Sequence, residues 1–113
     1  MTRLVFSGPQ AGKRFELLYV ALLNGGDGKG DRSAGIIRRE ARLFNELDAI
    51  SEPIKDDPDQ RRLMDGEHEI TVPQEDVDLL LGYAEKTAWV PRAARSAVDL
   101  WDWLGNAQHA EKE

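Results

Sequence analysis

The feature that most constrains the fold is the stretch from residue 61 to 108, where a tight-turn signal precedes two amphipathic helical segments. Asp65-Gly66 lies close to apolar residues on both sides, and this pair is typical of a two-residue type I′ turn because both of its positions need a positive φ. We therefore predict a small antiparallel β-hairpin across this turn, with Leu63 opposite His68.

Two helices are predicted after the hairpin. Thr71 and Gln74 have the spacing of a capping box, and the acidic residues that follow suit the positive end of a helix dipole. The second of these helices begins at Pro91 and ends at Gly105-Asn106, and the polar residues 107–113 are predicted to form a disordered tail. The inward-facing positions expected in the two helices are Val77, Leu80, Leu81, Ala84, Ala88, Ala94, Ala97, Val98, Trp101 and Leu104.

The N-terminal half predicts two further helices. The first follows a capping-box spacing from Ser7 to Gln10 and ends at Asn24-Gly25, a typical helix C-terminus. It is apolar on so many sides that we expect it to be largely buried. The second begins near Asp31 or Ser33 and runs to about Ile50, with one apolar and one charged face.

The connections between these elements follow from their composition. Residues 25–31 contain four glycines, which predicts a flexible loop because glycine loses the most backbone entropy on ordering. Residues 51–60 are rich in acidic residues and proline, which predicts a solvated acidic linker. Residues 3–6 fit either a short strand that pairs with the hairpin or an extended arm, and the sequence leaves both open.

The length of 113 residues predicts one domain, and 41% apolar with 32% charged residues is typical of a folded, soluble chain. We predict a single, mostly helical α+β domain over residues 1–106, with about four helices and one small hairpin. The longest apolar run, residues 17–23, is too short to span a membrane, and the N-terminal residues lack the long apolar region and cleavage site of a signal peptide, so we expect a protein that is not exported. With no cysteine in the chain, we expect a cytoplasmic protein without disulfides.

Three features of the sequence partly resemble a known catalytic or metal-binding motif, but each lacks residues that the motif requires. The segment from Gly8 to Lys13 has three residues between its glycines, whereas a phosphate-binding loop needs four and a Ser or Thr after the Lys. The alternating Asp and Gly of residues 27–31 place Lys29 where a calcium loop needs an oxygen ligand. His68 and His109 do not make a zinc site by themselves in a chain without cysteine; Glu67 and Glu69 could add carboxylate ligands, but a hairpin His68 that partly covers the core is the favoured interpretation. We therefore predict a protein that is not an enzyme and that binds no metal or cofactor.

The net charge of −6 argues against nucleic-acid binding, because residues 54–113 alone carry seven basic and fourteen acidic side chains. A basic set on the second helix is the exception, and it supports an alternative function as a nucleic-acid-associated regulator. These residues are Arg32, Arg38, Arg39 and Arg42.

Three tryptophans lie within fifteen positions, and Trp is enriched at protein-binding hot spots. Trp101 belongs to the predicted inward stripe, whereas Trp103 lies roughly 200° further around the helix. Trp89 precedes the break at Pro91. We take Trp89 and Trp103 as candidate protein-contact residues, with packing inside the domain as the alternative. The partner is then another protein or a second copy in a homodimer.

The overall layout resembles small accessory proteins encoded by bacteriophages and prophages. The resemblance covers the Leu-rich first helix, the acidic residues 51–60, the strand from Glu67 to Pro73 and the helix from Val77 to Ala84. It rests on layout, without a diagnostic motif. It implies a non-catalytic protein that acts in the cytoplasm of a bacterial host by binding another protein, and it assigns no site residues.

Overall fold

The computed structural model describes residues 2–25, 33–55 and 57–110, with only the backbone described at 58, 59 and 108–110. The described part contains four α-helices and two antiparallel sheets of two strands each, which confirms the mostly helical α+β class. In chain order the elements are β1 (Thr2–Phe6), α1 (Ala11–Asn24), α2 (Ala34–Ala49), β2 (Ser51–Ile54), β3 (Asp57–Leu63), β4 (His68–Val72), α3 (Gln74–Lys86), a 3-10 turn (Pro91–Ala93) and α4 (Ala94–Ala110).

The N-terminal residues form a strand, which decides between the two alternatives for residues 3–6. β1 pairs antiparallel with β4, with Leu4 opposite Ile70 and Phe6 opposite His68. Leu4 and Phe6 are fully buried, while Arg3 and Val5 between them point outward, the alternation expected of a strand with one covered face. This sheet therefore contributes its apolar face to the core.

The predicted hairpin across Asp65-Gly66 is wrong. β3 pairs with β2, and β4 pairs with β1, so this turn joins two different sheets. Gly66 has a φ of 98°, but Asp65 does not adopt the positive φ that a type I′ turn requires. The His68 Nε2 lies 3.1 Å from the Met64 carbonyl oxygen and 3.0 Å from that of Asp65, and it donates to these acceptors. The turn is thus held by a side chain.

The prediction of an acidic linker at residues 51–60 is also wrong, because most of this segment lies in β2 and β3. Ser51 is opposite Leu63 and Pro53 is opposite Arg61, and the chain reverses at Lys55, which has a φ of 53°. The acidic residues on these strands suggested a solvated loop, but a two-stranded sheet with an open face accommodates them. Loop composition was therefore a poor guide here.

The helix boundaries are confirmed at some ends and wrong at others. Gly25 ends α1 in the left-handed region with a φ of 56°, and the Ser33 hydroxyl caps α2 by accepting from the backbone N–H of Ile36 at 3.3 Å. Neither predicted capping box forms, since α1 and α3 have no side-chain cap. The Gln74 side chain instead accepts a hydrogen bond from the Thr2 hydroxyl, which ties α3 to β1.

The predicted end of α4 at Gly105-Asn106 is wrong, and so is the disordered tail for residues 107–110. The helix continues to Ala110, Gly105 keeps a helical conformation, and Ala107 packs against the core. A glycine commonly ends a helix by adopting the left-handed conformation, which Gly105 does not adopt, and the contact of Ala107 favours another turn of helix. Residues 111–113 lie outside the described part, and so does the predicted flexible loop at residues 25–31 apart from Gly25.

Helices α1, α3 and α4 supply most of the core, while α2 contributes only Leu43 and Leu47 as buried residues. The inward stripe predicted for α4 is rotated, because Leu100 is buried and Val98 is 47% exposed. The exposed position of Ala88, which follows α3, is a second departure from the prediction. The fully buried large side chains are Leu4, Phe6, Phe15, Leu18, Leu22, Leu43, Leu47, Val72, Val77, Leu80, Leu100 and Leu104.

Candidate functional site

Trp103, a predicted contact residue, lies in a cluster that joins β1, α1 and α4. Its ring lies 5.0 Å from the ring of Phe6, and the Arg14 guanidinium lies 5.7 Å from its centroid, within cation–π distance. Arg14 also donates two hydrogen bonds to Asp99, at 2.8 Å and 3.0 Å. These bonds hold the pKa of the Asp99 carboxyl below its ordinary value, against a smaller opposing effect of desolvation. Trp103 is therefore a packed residue with a partly exposed surface.

Trp89, the second predicted contact residue, completes the C-terminal end of α3. Its indole N–H donates to the carbonyl oxygen of Ala84 at 2.8 Å, and the Thr87 hydroxyl donates to that of Tyr83 at 2.7 Å. The Ala84 carbonyl belongs to the last turn of the helix, where intrahelical partners are lacking, whereas the Tyr83 carbonyl also accepts from the backbone N–H of Thr87 at 3.0 Å. Trp89 also packs against the core, so a packing role accounts for its position, and its protein-contact role stays a prediction.

Two of the four arginines in the predicted basic set are paired with carboxylates of α3. Arg42 donates two hydrogen bonds to Asp76, both at 3.1 Å, and Arg39 lies 3.5 Å from Glu75. Arg38 is exposed and has no ion pair within the described part, and Arg32 lies outside the described residues. A nucleic acid on this face would have to compete with the two carboxylates for the arginines. The alternative function thus stays a prediction without a specific structural observation in its favour.

A cleft of about 380 Å³ lies between α1 and the β2–β3 sheet. Tyr19, Val20 and Ile54 form its apolar lining, and Glu16, Gln60 and Arg61 form its polar lining. Val20 is 37% exposed, although it belongs to the helix that contributes most to the core. This is a concave site with an apolar floor and polar groups at its edge, the general character of a binding site.

Leu23 extends the apolar surface of the cleft along α1. Glu16, Val20 and Leu23 follow the i, i+4, i+7 spacing of one helix face, and Leu23 is 41% exposed. The exposed side of α1 therefore presents the carboxylate of Glu16 followed along the helix by the aliphatic side chains of Val20 and Leu23.

The polar wall of the cleft is fixed by a hydrogen-bond network around Arg61. Its Nε donates to the Ser51 hydroxyl at 2.8 Å, and its Nη2 donates to the backbone carbonyls of Ser51 and Asp48 at 2.9 Å and 3.2 Å. The Tyr19 hydroxyl donates to the Asp48 carboxylate at 3.0 Å, and Ser51 donates to the Leu47 carbonyl at 2.7 Å. Since these groups hold one another, the polar wall of the cleft has a fixed geometry.

The sequence interpretation missed this cleft because it treated residues 51–60 as a linker and all of α1 as core. One signal was present: the apolar face of α1 is wider than a single buried stripe requires, and Val20 and Leu23 form its excess. The other wall was not predictable, because Ile54 and Arg61 come together only when β2 and β3 pair.

The described residues contain no group of three or more His, Asp or Glu side chains that could hold a metal ion. Within the same part of the chain, no helix is both long and apolar enough to cross a membrane. Comparison with known proteins finds no family model, curated protein or solved structure that matches the chain.

Proposed function

We propose that this protein is a small, non-catalytic accessory protein that binds another protein through the cleft between α1 and the β2–β3 sheet. The observation that carries the proposal is the pre-formed concave site in which Tyr19, Val20 and Ile54 meet beside the fixed side chain of Arg61. Exposed aliphatic side chains beside a rigid polar wall are suited to accept an apolar anchor from a partner.

The size of the cleft limits what binds there. Its volume of about 380 Å³ is close to the lower end for small-molecule pockets, so it accommodates one or two side chains of a protein segment. The exposed Leu23 one turn beyond Val20 offers a further apolar contact along α1. A short segment that lies along the helix and inserts one bulky apolar side chain fits this surface.

The charge of the cleft defines the flanking residues of that segment. Arg61 pairs with Asp48 at 3.2 Å, which leaves Glu16 as the charged group at the rim. Glu16 lies 3.6 Å from Lys13, but both are well exposed, and such pairs are weak. Together with the net charge of −6, this favours a partner segment in which a Lys or Arg flanks the apolar residue. The resemblance to phage accessory proteins implies the same kind of role.

Selection of short random peptides displayed on a surface, with the purified protein as bait, tests the proposal. We expect peptides with an apolar residue next to Lys or Arg. Val20→Ser should weaken their binding about tenfold, since a buried valine side chain contributes about 1.5 kcal/mol. Val5 on β1 is 38% exposed, almost the same as Val20, so Val5→Ser is the matched control and should leave Kd unchanged.

Two results would contradict the proposed site. One is a set of selected peptides whose Kd is the same for the wild type and Val20→Ser. The other is the absence of any peptide that binds with micromolar affinity. A steep loss of binding to random DNA with added salt, in the absence of peptide binding, would favour the arginines of α2 instead.

A further inference from the structure

Helix α4 carries a second apolar stripe beside its buried face, and of the side chains in this stripe Trp101 also packs partly against the core. Ala94, Val98, Trp101 and Gly105 follow the i, i+4, i+7, i+11 spacing of one helix face. Ala94 is exposed, Val98 is 47% exposed, and Trp101 and Gly105 are partly exposed. The buried residues Ala97, Leu100 and Leu104 face the core from the neighbouring side of the helix. The stripe is thus an apolar helix face with a substantial exposed surface.

Two opposite charges flank this stripe on the same side. Arg95 and Asp102 are seven residues apart, which places them two turns and about 10 Å apart along the helix. Both are exposed, and neither forms an ion pair within the described part of the chain. They are too far apart to pair with one another, so each presents an uncompensated charge beside the stripe.

The order of these residues is self-complementary about the midpoint between Val98 and Trp101. When a second α4 is placed antiparallel across that midpoint, Val98 of each copy lies opposite Trp101 of the other. Ala94 likewise lies opposite Gly105, and small residues at both ends let the two helices approach closely. In an antiparallel helix pair the same flanks face each other, so Arg95 of each copy comes close to Asp102 of the other. A single two-fold axis therefore produces two ion pairs, each between Arg95 of one copy and Asp102 of the other.

We propose that α4 is a homodimer interface, formed by antiparallel packing of the Ala94, Val98, Trp101 and Gly105 stripe against the same stripe of a second copy. This interface is distinct from the cleft on α1. It also differs from a contact through Trp103, which lies on the other side of α4 beside Arg14 and Phe6. The charge pattern identifies the occupant as a second copy, because a two-fold axis generates both ion pairs from one chain.

The test is the solution mass of the full chain, measured by sedimentation equilibrium for the wild type and two charge variants. Arg95→Glu places two acidic residues on each flank, and Asp102→Arg places two basic ones, so each variant alone should dissociate about tenfold more readily than the wild type. An equimolar mixture of the two variants should form dimers again, since every flank then meets the opposite charge. Both positions are exposed, and circular dichroism should show unchanged helix content.

Val98→Glu provides an independent variant, because it places a charge at the centre of the stripe without touching a buried side chain. It should give a monomer with wild-type helix content, whereas the matched control Val5→Glu should dimerise like the wild type. A wild-type monomer at millimolar concentration would overturn the proposal. So would a mixture of the charge variants that stays monomeric, and this result would assign the stripe to a different partner.

Discussion

The guanidinium of Arg42 on α2 donates two hydrogen bonds to the carboxylate of Asp76 in the first turn of α3. The Asp76 side chain is fully buried, whereas that of Arg42 is half exposed. The negative charge lies near the positive end of the α3 dipole, and Arg42 covers it from the solvent side. This pair is a specific polar contact of α2, a helix that buries only two side chains in the core.

Removal of Arg42 should be far more harmful than removal of its neighbour Arg39. Arg42→Met leaves a buried carboxylate without its cationic partner, which we expect to lower the free energy of unfolding by about 2–3 kcal/mol. Arg39→Met is the matched control, because the Arg39–Glu75 pair is exposed on both sides and contributes less than about 1 kcal/mol. Urea unfolding of both variants gives the comparison. Equal losses would show that the buried pair has no special importance.

The Arg14–Asp99 pair should contribute a pH-dependent part of the stability. The hydrogen bonds from Arg14 lower the pKa of Asp99 below its ordinary value in the folded protein, so folding favours its ionised form. This contribution is fully present above the unfolded pKa of about 3.9 and is lost as the pH falls through the lower, folded pKa. The difference in unfolding free energy between the wild type and Asp99→Asn should therefore be constant near neutral pH and shrink in acid. A difference that grows in acid would contradict the assignment.

The indole N–H groups of Trp89 and Trp101 differ in hydrogen bonding: that of Trp89 has an acceptor, and that of Trp101 has none in the described part of the chain. The Trp101 Nε1 is buried and has no acceptor within the described part of the chain, whereas that of Trp89 donates to the Ala84 carbonyl. Trp89→Phe leaves a helix-end carbonyl unpaired, while Trp101→Phe removes an unsatisfied donor. At equal loss of side-chain size, we expect Trp89→Phe to be more destabilising by about 1 kcal/mol. Thermal unfolding of Trp89→Phe and Trp101→Phe, measured at a concentration where the protein is monomeric, compares their losses of stability.

Two glycines should respond to alanine substitution with opposite signs. Gly66 has a φ of 98°, so Gly66→Ala is strained although no atom lies within 4 Å of the added Cβ, and we expect a loss of about 1 kcal/mol. Gly82 lies inside α3 with equally open space around its Cβ position. Gly82→Ala should therefore raise the unfolding free energy by about 0.5–1 kcal/mol. Chemical denaturation of the two variants measures both, and a stabilising Gly66→Ala would contradict the backbone assignment.

The strand pairing could not be predicted from the sequence, although two of the strands could. β1 and β4 were each within reach in isolation, since residues 4–6 are apolar and residues 68–72 have a β-forming composition, whereas β2 and most of β3 were taken for a linker. The pairing of these strands was not predictable, because Asp65-Gly66 strongly suggested a local partner for β4. The observed partner is β1, which is far away in the chain: Arg3 of β1 and Glu69 of β4, whose side chains form a hydrogen bond, are 66 residues apart. A strand with one apolar face is compatible with any partner that covers it, so local pattern does not select among them.

In the candidate sites, too, single unusual residues were recognisable from the sequence, but their contacts were not. Trp89 and Trp103 were recognisable as unusual residues, but their packing partners, Ala84 and Phe6, depend on the way the helices meet. The cleft beside Val20 needs the pairing of β2 with β3, which the acidic composition of residues 51–60 obscured. The stripe of α4 was visible as part of one broad apolar face, and only the burial of Leu100 showed that Val98 lies outside the core.

The sequence by itself determined the four helices and several of their ends, such as Gly25 and Ser33, because helical periodicity and capping depend on residues a few positions apart. Only the tertiary structure decided the strand pairing, the partner of Asp76 and the side of α4 that is buried. These depend on contacts between residues far apart in the chain, whose free energies arise from burial and charge pairing after the helices have come together.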